Sequence, residues 1–288
     1  MTRHVALLAA VATSASLAGP SRLPAQAMRA FSVERPVGTE RFLHVTLDFS
    51  GGTVVLVPAA PGQLYGLRLR YDGERSAPVQ LYDPRTGILR LGVTPVGGIG
   101  LRVTTLPRHE QTARFEFSPD IPLSLDATLG ASEATMDLGG MTLTELEVRS
   151  TATHAVVDFS RPTRGNCRSA QFSVGAAELE VRHLAQTGCE SLRVDGGVGS
   201  VSLSFDGEWR RDLSLVVDLS MGGLSLKVPR GTGVRITGKR FLAPFESKGF
   251  VRSGDMWTTP GYDQASRKLT VELKASMVGI GVEWIEQQ

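Results

Sequence analysis

Residues 169–204 read SAQFSVGAAELEVRHLAQTGCESLRVDGGVGSVSLS. Two apolar–polar–apolar triplets, Ala170-Gln171-Phe172 and Leu179-Glu180-Val181, are followed by two of the same form, Leu192-Arg193-Val194 and Val201-Ser202-Leu203. Side chains alternate faces along a strand, so the outer two residues of each triplet share a face and the middle one points the other way. Small residues, Gly175 to Ala177 and Gly196 to Gly199, separate the triplets within each half. The first half recurs as the second after 22 residues.

The recurrence extends in both directions. Met136-Asp137-Leu138, Val157-Asp158-Phe159, Leu179-Glu180-Val181, Val201-Ser202-Leu203 and Leu224-Ser225-Leu226 follow one another at spacings of 21, 22, 22 and 23. A second set lies upstream: Leu123-Ser124-Leu125, Leu146-Glu147-Val148, Ala170-Gln171-Phe172, Leu192-Arg193-Val194 and Leu215-Val216-Val217, at spacings of 23, 24, 22 and 23. Gly130, Ala152, Gly222 and Gly223 fill the intervening bends. Each unit of about 22 residues thus carries two short strands and a small-residue bend. One unit cannot bury its apolar face, but stacked units can, which is the physics of a solenoid. Stacking in this register predicts two inner columns, Met136/Val157/Leu179/Val201/Leu224 and Leu138/Phe159/Val181/Leu203/Leu226, apolar at every position.

Outside the array the chain also reads as β. Val54 to Val57, Leu64 to Tyr71, Ile88 to Val93, Leu101 to Leu106 and Arg114 to Phe117 are short runs bounded by turn-forming residues. Leu269 to Leu273 alternates cleanly, and Leu143 to Val148 fits a strand better than a helical turn. Cys167 lies five residues before Phe172, and Cys189 five before Val194, so the only two cysteines hold equivalent places in adjacent units. Strands about 4.8 Å apart suit a disulfide. A bridge closing this loop would contribute roughly 3 kcal/mol in the chain-entropy model. The other reading is two free or metal-binding thiols, and a mass that does not change on reduction would favour it.

The N-terminus is not part of this pattern. Arg3 and His4 precede an apolar stretch from Val5 to Leu17, and Leu23-Pro24-Ala25-Gln26-Ala27 offers a small-x-small cleavage site after Ala27. Residues 1–27 read as a secretory signal, with an N-terminal core helix as the alternative. Removing Arg3 and Arg22 from the 31 basic residues leaves 29, against 29 acidic ones. A chain of zero net charge gives no global electrostatic case for nucleic acid. No run of 18 apolar residues follows, so no helical membrane span is expected. With 41% hydrophobic residues the chain is not disordered.

Taken in order, three segments resemble the bacterial toast-rack family (DUF2154) and its relatives, the LiaF-like and adhesin-like (DUF4097-like) envelope proteins. The first holds Leu56 to Pro58, Leu64-Tyr65, Leu67 to Tyr71, Pro78 to Tyr82 and Gly87 to Leu91; the second is the array from Leu125 to Leu226. The third holds Gly249-Phe250, Gly254, Thr258 to Tyr262, Leu269 to Leu273 and Val278 to Val282. The resemblance covers roughly residues 40–285. It implies an all-β, right-handed β-solenoid-like (toast-rack) fold with short strands, no catalytic residues and no cofactor. LiaF-like relatives carry membrane helices, which this chain lacks.

Several residues are candidates for chemistry. In the register above, Asp137, Asp158 and Glu180 stack as three outward carboxylates. Such a ladder is a solvated face, an arginine-paired face through Arg182, or a weak Ca²⁺ site. His154, Asp158 and Ser160 are near one another in sequence, but no glycine frame gives a nucleophile turn. His109 and His183 are isolated, and Gly97-Gly98-Ile99-Gly100 reads as a hairpin turn. Arg114 to Phe117 and Trp209-Arg210-Arg211 place rings beside cations, which suits either sugar stacking or ordinary partial burial. Phe241, Phe245, Phe250, Trp257 and Tyr262 gather in the least repetitive stretch and suggest a cap over the solenoid end.

Two rival architectures fail. An outer-membrane barrel needs aromatic girdles and strands of about ten residues, and the chain has four tyrosines and three tryptophans. A polysaccharide-lyase β-helix would carry asparagine ladders, and Asn166 is the only asparagine. The expected organisation is a signal at 1–27, a β-rich segment at 28–120 and the array with its cap at 121–288, on one continuous core. The expected role is a non-enzymatic structural or adhesin-like envelope protein, in the periplasm or on the surface, whose partner is an envelope protein or a glycan. The alternatives are an accessory of envelope-stress regulation that binds a membrane partner and, less favoured, a polysaccharide-acting enzyme.

Overall fold

The computed structural model describes residues 28–96, 111–239 and 248–286. The expectations at Ala27, Gly97 to Gly100, Leu101 to Leu106, His109, Phe241 and Phe245 lie outside these residues. Among the described residues the regular structure is β, apart from two 3₁₀ turns at Leu184–Thr187 and Tyr262–Gln264. The strands are β1 Met28–Pro36, β2 Leu43–Pro58, β3 Gln63–Asp72, β4 Ser76–Asp83, β5 Ile88–Pro95, β6 Thr112–Phe117, β7 Leu123–Asp137 and β8 Leu143–Ser150. They continue as β9 His154–Asp158, β10 Ser169–Arg182, β11 Ser191–Ser204, β12 Leu213–Pro229, β13 Gly233–Lys239, β14 Val251–Ser253, β15 Met256–Thr258 and β16 Lys268–Ile285.

The centre is a parallel stack. β2 pairs with β7, β7 with β8 and β9, these with β10, and then β11, β12 and β16 follow, all parallel. The two short strands expected in each unit are one long strand in β2, β7, β10, β11, β12 and β16; β8 and β9 remain separate. The small-residue bend is a corner within the strand. At Gly175 with Gly197, and at Ser220 with Ser276, the ladder skips one position and resumes in the same register. The inward face changes parity there: Ala170, Phe172 and Val174 are buried before the corner, Leu179 and Val181 after it. The corner keeps both limbs facing one core, so a bend that would end an ordinary strand only turns this one.

Rung spacing corrects the expected columns. Val157 pairs with Val181, and Ala155 with Leu179. Leu146 stands beside Leu125, not Leu123. The inner column therefore runs Met136/Val157/Val181/Leu203/Leu226. A slip of two residues leaves strand alternation intact, so every column stays apolar in either register and hydrophobicity alone cannot choose between them.

The stack ends differently at its two ends. On β2, β5 and β6 together form one more parallel rung, which is then closed by antiparallel β4 and by antiparallel β3 and β1. On β16, parallel β13 is followed by antiparallel β15 and β14. One hydrophobic cluster runs through the whole, from Leu43 to Ile280. Outward acids on the first limb are paired with arginines. Arg149 bonds Asp126 and Glu147, and Arg193 bonds Asp195. Asp126 and Glu147 face each other across β7 and β8, and Asp195 faces Asp218, so the arginines beside them offset a like-charge repulsion.

Candidate functional site

The corrected register disperses the carboxylate ladder. Asp137 does sit beside Asp158, but Asp158 pairs with Arg182, and Glu180 falls beside Val156. Each acid has its own partner. Asp137 accepts hydrogen bonds from the Ser160 hydroxyl at 2.8 Å and the Gly139 N–H at 2.9 Å. Arg182 donates two hydrogen bonds of 2.9 Å to Glu180, and these hold the Glu180 carboxyl below its usual range. Among the described residues no three His, Cys, Asp or Glu side chains gather as a metal-holding group.

The His154/Asp158/Ser160 grouping also separates. His154 lies 3.2 Å from Glu178 on the exposed face, while Ser160 is bound to Asp137. Asp158 instead meets His183, which sequence reading left isolated. The His183 Nδ1 is 2.6 Å from Asp158 and its Nε2 is 3.3 Å from Asp206. His183 adopts a left-handed backbone conformation with φ 55°, and its own N–H donates to Asp206. It ties three rungs together at the end of the second limb. Nothing in this arrangement supplies a nucleophile with its base.

Cys167 and Cys189 sit in the connecting loops of adjacent rungs, both 1% exposed, with Cα atoms 4.2 Å apart and their sulfurs at bonding distance. Phe115 and Phe117 are fully buried, and Arg114 pairs with Glu116. Trp209 donates its indole N–H to the Phe205 carbonyl, and Arg210 donates to the Thr163 carbonyl. These rings and cations hold the fold. Trp257 and Tyr262 are buried in the C-terminal end, and Phe250 stacks at 5.9 Å on Trp284.

Two surfaces stand out among the described residues. One is a trough of ≈ 580 Å³ at the C-terminal end, lined by Arg230, Thr232, Lys248, Gln264, Trp284 and glycine backbone. Turns build it: Gly231, Gly249 and Gly261 all have positive φ, at 81°, 89° and 74°, a conformation glycine adopts without strain. Arg230 pairs with Glu286 at 2.9 Å, with both side chains mostly exposed. The Thr232 hydroxyl is buried and without a hydrogen-bond partner. These residues lie far apart in a non-repeating part of the chain, so periodicity gave no signal for them; Trp284 and the glycine turns were the available hint.

The other surface is the outer face of the second limb. A shallow groove of ≈ 470 Å³ runs over Ser200, Ser202, Gly223, Ser225 and Gly279, bounded by Glu178, Glu180 and Lys227. Along the neighbouring corner, Val198, Met221 and Met277 stand in register and are 54%, 44% and 52% exposed. Among the described residues no helix is long and apolar enough to cross a membrane.

The family model for the N-terminal domain of toast_rack, DUF2154, matches residues 38–182. No curated protein matches the sequence. Among solved structures, a candidate cell adhesion protein from Clostridium sporogenes is similar, at 13% identity and a TM-score of 0.46, covering 90% of this chain and 100% of that one. A candidate adhesin from Bacteroides fragilis is similar at 11% identity and a TM-score of 0.39, covering 88% of this chain and 97% of that one.

Proposed function

The chain belongs to the toast-rack family, and from that premise we propose that it is an exported, non-enzymatic binding module of the bacterial envelope, adhesin-like in action, which takes a glycan at its C-terminal end. Residues 1–27 serve as the export signal, cleaved after Ala27. The mature chain then divides for description into 28–120 and 121–288 on one core. The observation that carries this reading is the C-terminal trough, where Trp284, Arg230 and Lys248 line one concave site. Concavity with a few convergent polar groups is the usual form of a ligand site. Asp137, Asp158 and Glu180, by contrast, are each engaged by protein partners.

A second reading is supported by the apolar corner ladder of Val198, Met221 and Met277. An exposed apolar row is a feature of protein–protein contacts, and it fits an accessory of envelope-stress regulation that docks on a membrane protein. The test is crosslinking in cells with tagged protein, followed by capture from the envelope fraction and identification by mass. Capture of cell-wall or polysaccharide fragments is the expected result. One dominant membrane protein would replace the first reading with the second. Conversion of a captured glycan to smaller products would overturn the non-enzymatic part.

A further inference from the structure

We infer that the C-terminal trough is a subsite for a carboxylate-bearing sugar, its ring against Trp284 and its carboxylate between Arg230 and Lys248. This rests on the glycan reading above and narrows it to acidic saccharides. Trp284 is half-buried, with Phe250 packed at 5.9 Å and a tilt of 31°, so the indole is held in place on one side. An indole offers a broad apolar face and a polar N–H edge, the combination that suits the mixed surface of a sugar ring.

Charge selects the kind of sugar. Lys248 is exposed and has no ion-pair partner among the described residues. Among the described residues the Arg230 side chain is paired with Glu286, and that pair is 66% and 85% exposed. Solvent-exposed pairs of this kind are weak, so the guanidinium can exchange Glu286 for a ligand carboxylate and engage it with two parallel hydrogen bonds. The whole mature chain is neutral by its sequence, so two cations lining one trough form a local rather than a global attraction. The volume of ≈ 580 Å³ accommodates one or two rings.

The test uses the mature protein with a tetramer of galacturonic acid and its carboxyl-reduced, neutral counterpart, read by calorimetry. The acidic tetramer is expected to bind at least about ten-fold more tightly, with affinity falling as salt rises. Lys248→Glu, at an exposed position, is expected to abolish that preference without moving the melting temperature. Trp284→Ala is expected to weaken both sugars. Equal binding of the two tetramers overturns the acidic assignment and leaves the glycan reading standing. Acid-selective binding untouched by Lys248→Glu removes the trough as its site. Failure of both tetramers, with neutral glycan captured from cells, overturns this inference alone; failure of both with no glycan captured overturns the parent reading as well.

Discussion

Gly222 and Gly223 are neighbours in sequence with opposite tolerance for a side chain. Gly222 has φ 129°, and a Cβ there would run into the Gly199 carbonyl oxygen of the next rung. Gly223 has open space around the same position. Gly222→Ala is therefore expected to lose at least about 2 kcal/mol of stability, and Gly223→Ala to stay within about 0.5 kcal/mol of the parent. Urea unfolding of the two variants measures both, and equal costs would mean that the corner is not closed by backbone contact. Glu116 makes a different residue-scale case. Burial opposes its charge, yet hydrogen bonds from Arg114 and Gln63 and the charge of Arg68 outweigh it and hold the carboxyl below its ordinary range. A carboxyl lowered by folding contributes stability that is complete above the ordinary value and is lost as pH falls through the folded one. Acid titration of the melting temperature should show this loss below about pH 4.5, and Glu116→Gln should flatten that limb. A profile identical to the parent's would show that other acids carry it.

At the scale of elements, neighbouring rungs from β7 to β12 keep one offset on both limbs. The pairs bear this out. Leu125 to Leu146 and Met136 to Val157 are both separated by 21 residues. Leu146 to Ala170 and Val157 to Val181 are both separated by 24. The repeat, the inward triplets and the small-residue corners were legible because alternation is a local property of sequence. The register was not, because a shift of two residues preserves alternation, and reading each limb separately placed Glu180 beside Asp158. Equal offsets alone do not choose between 22 and 24 residues, since both keep alternation on the two limbs; the fold sets the pairing of Asp158 with Arg182. The cysteines obey the same rule, 22 residues apart, as are Ala170 and Leu192 beside them. A Cys167–Cys189 bridge would pin two rungs through their loops. Reduction of the unfolded, alkylated protein is expected to add the mass of two hydrogens, and Cys167→Ser with Cys189→Ser to cost about 3 kcal/mol. Thiols that alkylate fully before reduction would contradict the bridge.

For the whole molecule, a parallel stack has two ends, and each end is a strand edge able to recruit another chain. The C-terminal trough arises from how one end is finished, by turns between β12, β13 and β16 that obey no period, which is why the array was readable and the trough was not. The other end closes with β1, an antiparallel strand over β3 that carries Arg29, Glu34, Arg35 and Pro36. Charges and a proline make a poor template for a further strand. β3 has no proline there, and although Arg68 and Arg70 alternate with Leu67, Leu69 and Tyr71, it would expose the backbone groups that β1 now satisfies. Phe31 and Val33 would also leave the core they pack against. A chain beginning at Val37 is therefore expected to fold around the intact parallel stack, melt at a lower temperature and self-associate through β3. Sedimentation velocity over a ten-fold range of concentration reads the association, and the thermal transition separates it from general unfolding. A cooperative melt with a concentration-dependent sedimentation coefficient, absent in the parent, is the expected outcome. A shortened chain that sediments like the parent at every concentration would mean that β1 is not the element that seals this end.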